Sequence, residues 1–344
     1  MTRTVTLIPG DGIGPAITEA CEAVLEAAGA PIEWDRQKAG TSAMEEGGEP
    51  LPDATLASIE QHRVALKGPL TTPLGEGFRS LNVALRKHFD LYVNLRPVKT
   101  LRPGGRYEDV DLVIVRENTE GLYVGIEHFI GMEDDPKAVA ESVMLVTRFG
   151  AERIVRYAFE YALAHDREMV TLVHKANILK CTQGLFLEVG RGVAEEYEGR
   201  VTFDERIIDA TAMQLVLDPH QFDVIVSENM FGDILSDEAA GLVGGLGFAP
   251  GANIGEDAAL FEPVHGSAPD IAGKGIANPC SMILASCLML DHLHEGEVAE
   301  RIRSAVGGVL RGVEGLTPDL GGTGTTQSFA RAIVDRLERD DSPV

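Results

Sequence analysis

The chain has 344 residues, with 54 acidic and 30 basic side chains for a formal net charge of −24, and 44% of its residues are hydrophobic. That length favours about two domains around a sizeable core, and the apolar content excludes an acidic, disordered tail-like chain. So acidic a balance also excludes nucleic-acid binding through a broad basic face, because phosphate contacts need clustered Lys and Arg.

In chain order, 5–8 reads as a strand, with no signal or transit segment ahead of it, which implies a soluble, cytoplasmic protein. The glycine turn Pro9-Gly-Asp-Gly-Ile-Gly-Pro15 follows, and 16–28 has helical periodicity up to Gly29. Short apolar runs at 64–67 and 111–115 read as buried strands. Helical periodicity recurs over 79–89, 151–165 and 182–198. Further strands are expected at 170–174 and 223–226, and a last helix over 329–338 runs into a charged tail. The longest apolar stretch, 281–290, is too short to cross a bilayer, so no membrane contact is expected. Cys21, Cys181, Cys280 and Cys287 show no CxxC spacing and read as reduced thiols rather than a disulfide framework or zinc site.

The alternation of strands and helices implies an α/β architecture. No repeat or low-complexity linker divides the chain, so two domains that exchange segments about a cleft are expected. The glycine segments argue against a Rossmann nucleotide site. The turn at 10–14 lacks GxGxxG spacing, and Gly245-Leu-Gly-Phe-Ala-Pro250 puts proline where the third glycine belongs. Tight turns and close packing explain these glycines better.

Asp233 and Asp237 lie four apart on a predicted helix, where two carboxylates on one face repel by roughly a few tenths of a kcal/mol. A divalent cation turns that repulsion into a site, and two hard oxygens with water and a substrate oxygen suit Mg²⁺ or Mn²⁺. The plainer alternative is an exposed acidic face. Ser80 stands near the start of a helix, on which Asn82 and Arg86 share a face one turn apart. Arg96 precedes a proline and so lies in extended chain, and Arg116 caps the apolar strand before it. Guanidinium forks and helix N-termini suit carboxylates. Taken singly each arginine reads as a surface salt bridge; together they suit a ligand with several carboxylates. Lys175 follows the strand 170–174, with Asn177 just beyond it. Near other cations and a metal, such a lysine becomes a proton carrier; alone, it is a solvated loop residue. Tyr123 is either a proton donor or a packing side chain.

Several segments carry specific chemistry in a fixed order: Pro9 to Pro15, Lys67-Gly-Pro-Leu-Thr-Thr-Pro73, Arg116-Glu-Asn-Thr-Glu-Gly121 and His174-Lys-Ala-Asn177. Asn229-Met-Phe-Gly-Asp233 continuing to Gly247, Glu262-Pro-Val-His-Gly-Ser-Ala-Pro-Asp270 and Ile276-Ala-Asn-Pro279 complete the series. Over nearly its whole length the sequence thereby resembles the β-decarboxylating dehydrogenases of isocitrate, isopropylmalate, homoisocitrate and tartrate. The resemblance implies that family's own doubly wound α/β fold, not a Rossmann fold, in two domains about a central cleft. Residues 1–99 and 252–344 would form the large, cofactor-side domain. Residues 100–251 would form the small domain, carrying substrate, metal and dimer contacts. It further implies a homodimer in which Lys175 and Asp209 reach into the neighbouring protomer's site.

By the same resemblance, Arg86, Arg96 and Arg116 would clamp substrate carboxylates. Asp233 and Asp237, with Asp209 of the partner subunit, would hold Mg²⁺ or Mn²⁺. The implied chemistry is hydride transfer from a hydroxy acid to a nicotinamide followed by loss of CO₂, eased by the metal. Tyr123 would reprotonate the enol carbon and Lys175 would handle the hydroxyl proton. Ser80-Leu-Asn82 resembles the isocitrate-using members, where polar side chains meet the γ-carboxylate; isopropylmalate relatives present apolar ones. Isocitrate is therefore the expected substrate. Homoisocitrate is the main rival, because one methylene is worth only about 1–3 kcal/mol in selectivity, and a tartrate-type substrate is another.

The loop from His265 would lead into the adenosine site, with Ile13, Asn177, Gly266, Ala268 and Asn278 in the cofactor-binding set. Thr71 and Thr72 would lie near the nicotinamide ribose and Glu262 near the nicotinamide. Asp270-Ile271 stands where NADP-using isocitrate members place Lys-Tyr. A carboxylate there hydrogen-bonds ribose hydroxyls and repels a 2′-phosphate, so NAD is the expected cofactor. A non-catalytic regulatory role is the remaining alternative; such chains lose site residues, whereas the Arg, Tyr, Lys and Asp set here is complete.

Overall fold

A computed structural model describes residues 2–45, 47–71, 80–313 and 315–340. Its strands are β1 (Arg3–Ile8), β2 (Ile32–Arg36), β3 (Val64–Lys67), β4 (Val93–Lys99), β5 (Asp111–Glu117), β6 (Glu127–Met132), β7 (Asp135–Ser142), β8 (Met169–His174), β9 (Thr202–Ile207), β10 (Val224–Ser227), β11 (Pro250–Ile254) and β12 (Ala259–Pro263). The helices are α1 (Gly14–Ala27), α2 (Thr41–Met44), α3 (Asp53–His62), α4 (Leu81–His88), α5 (Arg148–Ala164), α6 (Thr182–Glu195), α7 (Ile208–Leu217), α8 (Asn229–Leu242), α9 (Cys280–His292), α10 (Gly296–Leu310) and α11 (Thr326–Asp340). Among the described residues, no helix is long and apolar enough to cross a membrane.

The chain divides into two compact units. The first comprises Met1–Phe89, Thr100–Glu108 and Ala240–Val344, and the second Asp90–Lys99 and Asp109–Ala239. In the first, strands run in the order β2-β1-β3-β12-β11, parallel apart from the β11–β12 hairpin. Helix α9 packs on β3, β11 and β12, while α3 packs on β1 and β3. In the second unit the order is β4-β5-β10-β8-β9, parallel apart from β4. Here α5 packs on β5, β8 and β10, and α6 packs on α5 and β8. Strands covered in this way read as unbroken apolar runs rather than alternating ones, which is why β3, β8 and β10 stand out in the sequence.

The α/β class expected from the alternation is present, and α1 ends where the pattern places it, with Gly29 left-handed at φ +70°. The sequence boundaries put 90–99 with the first unit, and 100–108 and 240–251 with the second. The structure assigns these segments the other way. Strand β4 pairs with β5 from Val93↔Glu117 to Lys99↔Asp111, and β11 is one arm of the hairpin with β12. The long apolar stretch at 281–290 lies within α9, buried along nearly its whole length, so it carries no amphipathic period to read. The β6–β7 ribbon is exposed throughout.

Candidate active site

In the second unit, the antiparallel register places Arg96 opposite Ile114 and Arg116 opposite Asn94. A period of two therefore sets both arginines on one face of the sheet. Both are buried, and their charge is met by α8. Arg116 donates through Nη1 to Asp233, and through Nε and Nη2 to Asn229 Oδ1 at 3.1 and 2.7 Å. Arg96 donates to Ser236 Oγ at 2.6 Å and to Asp237 Oδ1 at 3.1 Å, with Asp233 at 3.5 Å. Tyr123 donates its hydroxyl to the other Asp233 oxygen, and its ring lies 5.1 Å from the Arg116 guanidinium. Gly232 makes this crossing possible, because a β-carbon there would sit 2.6 Å from the Arg116 side chain.

The structure thus gathers Arg96, Arg116, Tyr123, Asp233 and Asp237, five of the residues singled out in the sequence. Arg116 is not at the strand's edge but inside β5. Burial pushes the Asp237 carboxyl above its ordinary value, against the opposing pull of Arg96. Two buried carboxylates flank the cluster unforeseen. Glu117 accepts from the Thr119 and Glu120 amides, and Glu228 from the Met230 and Phe231 amides at the start of α8. Burial raises both carboxyls above their usual range.

Lys175 follows β8 and donates its Nζ to Asp209 in the first turn of α7, and that ammonium holds Asp209 below the usual carboxylate value. Asn177 is exposed in the turn beyond. Among the described residues, no group of three or more His, Cys, Asp or Glu side chains is placed to hold a metal ion. Asp209 therefore does not complete the Asp233–Asp237 pair within one chain. The pair supplies hard oxygens on one helix face, the right chemistry for Mg²⁺ or Mn²⁺, but too few for a closed cage. These donors fit a divalent cation only with further ligands from substrate, water or a second protomer.

In the first unit, Ser80 is the exposed N-cap of α4, with Asn82 and Arg86 on that helix. Arg86 is buried and its Nη2 lies 3.3 Å from Glu262 Oε1. The parallel pairing of Phe261 with Leu66 brings Glu262 beside Lys67, a buried lysine that residue type alone does not single out, although it begins the 67–73 motif. Its Nζ is 2.7 Å from Glu262 Oε2, and Asn253 Nδ2 donates to Oε1 at 2.8 Å. Burial alone would raise the Glu262 carboxyl; Lys67 and Arg86 reverse this and hold it far below the usual range. Arg86 Nε and Asn82 Oδ1 are buried with no hydrogen-bond partner among the described residues, and a turned amide at Asn82 makes both of them donors.

The loop after β12 contains His265, Gly266, Ala268, Asp270 and Ile271 of the expected cofactor residues. His265 donates through Nδ1 to Gly266 O at 3.0 Å, while its Nε2 is buried and unpartnered among the described residues. Burial also lowers its pKa. Ile13 donates its amide to Ser267 O at 2.9 Å, and Thr71 Oγ1 meets Ser267 Oγ at 2.7 Å. Ala268 has φ +40°; Asp270 is exposed and Ile271 half-buried. Asn278 is buried, its amide fixed by Cys280 N and Asp319 Oδ2, each at 3.0 Å. Thr72 lies outside the described residues. One loop thus carries an imidazole nitrogen unpartnered among the described residues and an exposed carboxylate, groups that fit a nucleotide with free ribose hydroxyls.

Both units of this α/β protein thus carry buried arginines that face carboxylates. The family model for isocitrate/isopropylmalate dehydrogenase matches residues 4–333, and the chain belongs to that family. A crystal structure of isocitrate dehydrogenase from Methylococcus capsulatus is 57% identical, with a TM-score of 0.94 over 98% of this chain and 99% of that one. The mitochondrial NAD isocitrate dehydrogenase catalytic subunit 5 of Arabidopsis thaliana is 49% identical over 337 residues, 97% of this chain and 88% of the relative. A Dictyostelium discoideum protein, named as a regulatory member of the mitochondrial NAD isocitrate dehydrogenase, is 46% identical over 338 residues, 97% of this chain and 92% of the relative.

Proposed function

We propose that this chain is a catalytic NAD-linked isocitrate dehydrogenase, converting isocitrate to 2-oxoglutarate and CO₂ with the help of Mg²⁺ or Mn²⁺. The observation that carries the reading is the meeting of Tyr123, Arg116 and Arg96 on Asp233. A phenol, two forked cations and two clustered carboxylates suit a polycarboxylate that must be oriented and then protonated. The names of relatives support the substrate and cofactor, and the polar Ser80 and Asn82 support isocitrate over an alkyl-bearing acid.

Arg96 and Arg116 hold carboxylates, and Arg86, whose Nε has no hydrogen-bond partner among the described residues, provides a further donor. Tyr123 is the proton donor to carbon, with Asp233 and the Arg116 charge tuning its hydroxyl. Lys175 relays the hydroxyl proton. When bound on Asp233 and Asp237, the divalent cation supplies Lewis-acid polarisation of substrate oxygens. NAD supplies the hydride acceptor, and Asp270 favours it through its ribose hydroxyls.

We further propose a homodimer. The separation of the Lys175–Asp209 pair from the Asp233 cluster, and the apolar side chains Phe129, Ile130, Met132 and Val139 on the exposed ribbon, support it. A regulatory role is the second reading, since one relative carries that name; the complete set of acid–base and arginine residues favours catalysis. With NAD, isocitrate should show the highest kcat/KM in a side-by-side assay of NADH formation. Homoisocitrate should be about tenfold or more poorer and 3-isopropylmalate poorer still. A preference for either rival would overturn the substrate assignment.

A further inference from the structure

Asp11 lies in the glycine turn between β1 and α1 and is 4% exposed. Its own amide donates to Pro69 O at 2.8 Å. Its carboxylate takes three backbone amides, one from the loop after β3 and two from the start of α2. Thr71 N and Thr41 N donate to Oδ2 at 2.7 and 3.1 Å, and Ser42 N donates to Oδ1 at 3.0 Å. Two glycines make the approach possible. Gly40, at φ +80°, faces the carboxylate so closely that any β-carbon there would collide with it, and Gly12, at φ +61°, admits the Ser267 carbonyl in the same way. The neighbouring Ile13 amide binds that carbonyl, and Thr71 reaches the Ser267 hydroxyl. One buried carboxylate thus ties the segments 9–14, 40–42 and 69–71 together, and the latter two contacts tie them to the loop at 267.

We propose that Asp11 is a positioning residue for dinucleotide binding, setting Thr71 and the 265–270 loop in place without touching the ligand. The inference rests on the assignment of those loops to NAD. A carboxylate offers two acceptor oxygens to three N–H donors. Asparagine offers one, so whichever way its amide turns, an N–H faces a backbone N–H. Loss of the tether therefore reaches the cofactor loops before it reaches α4 or α8.

The test titrates NADH by fluorescence into the wild-type chain and Asp11→Asn, with melting temperature as the check on folding. Asp11→Asn should weaken NADH binding about tenfold or more, while KM for isocitrate at saturating NAD stays within about threefold. If that variant does not fold, Thr41→Pro removes one of the three donors at the first position of α2, where proline is tolerated. It should weaken NADH about threefold. A folded variant that binds NADH within about twofold of wild type overturns the inference, as does an equal rise in KM for isocitrate. A wild-type chain that fails to bind NADH overturns the NAD assignment itself.

Discussion

Mixing two inactive variants, Lys175→Ala and Arg86→Ala, should restore about a quarter of wild-type activity once protomers have exchanged. The figure follows from a shared site. Lys175 pairs with Asp209 in its own chain, and Asp209 does not join Asp233 and Asp237 there. If both act in the partner's site, random exchange makes half the dimers mixed. Each mixed dimer then holds one site with both wild-type residues and one with both substitutions. Each parent alone should keep about 1% of activity or less, as expected for removing a proton carrier or a carboxylate clamp. Proven exchange without recovery would show that each chain completes its own site.

Glu262→Gln should destabilise the protein by about 3–5 kcal/mol, read from the urea midpoint at neutral pH. Glu262 is the counter-charge to Lys67, whose side chain is 1% exposed, and to Arg86 at 10%. The amide keeps the shape and loses the charge, leaving buried cations without their partner. The same pairing fixes the pH dependence. The folded Glu262 carboxyl lies below its unfolded value of about 4.5, so its contribution is complete above that pH and is lost as pH falls towards the folded value. The variant should therefore lose less stability than wild type on acidification below the ordinary carboxylate range. Equal midpoints at neutral pH would show that the buried pair contributes nothing.

The sequence reveals those parts of the molecule where one local pattern has one physical cause. Buried parallel strands such as β8 and β10 are apolar runs bounded by turns, and α1 ends at a glycine. Helix α9 is hidden because burial on every side erases the period, and the β6–β7 ribbon because exposure on both faces leaves no apolar alternation. In the candidate site, the Asp233–Asp237 spacing and the arginines can be read from residue type and motif. That Tyr123 and Arg116 converge on Asp233 cannot, since strand register and Gly232 decide it. Lys67 and Asp11 stand in legible motifs, but their roles cannot be read there, being defined by partners far away in sequence.

The acidic balance of −24 also takes on a local meaning. Arg86, Arg96, Arg116 and Lys67 are all buried, each facing a carboxylate. The net charge thus says nothing about these four cations, which are internal and compensated.

The most direct measurement gives the purified chain isocitrate and a divalent cation with either NAD or NADP, and follows reduced cofactor and CO₂ together. NADH and CO₂ should appear in equal amounts. kcat/KM should favour NAD by about tenfold or more, because Asp270 meets a 2′-phosphate with like charge. A preference for NADP, or isocitrate oxidation without release of CO₂, would contradict the assignment.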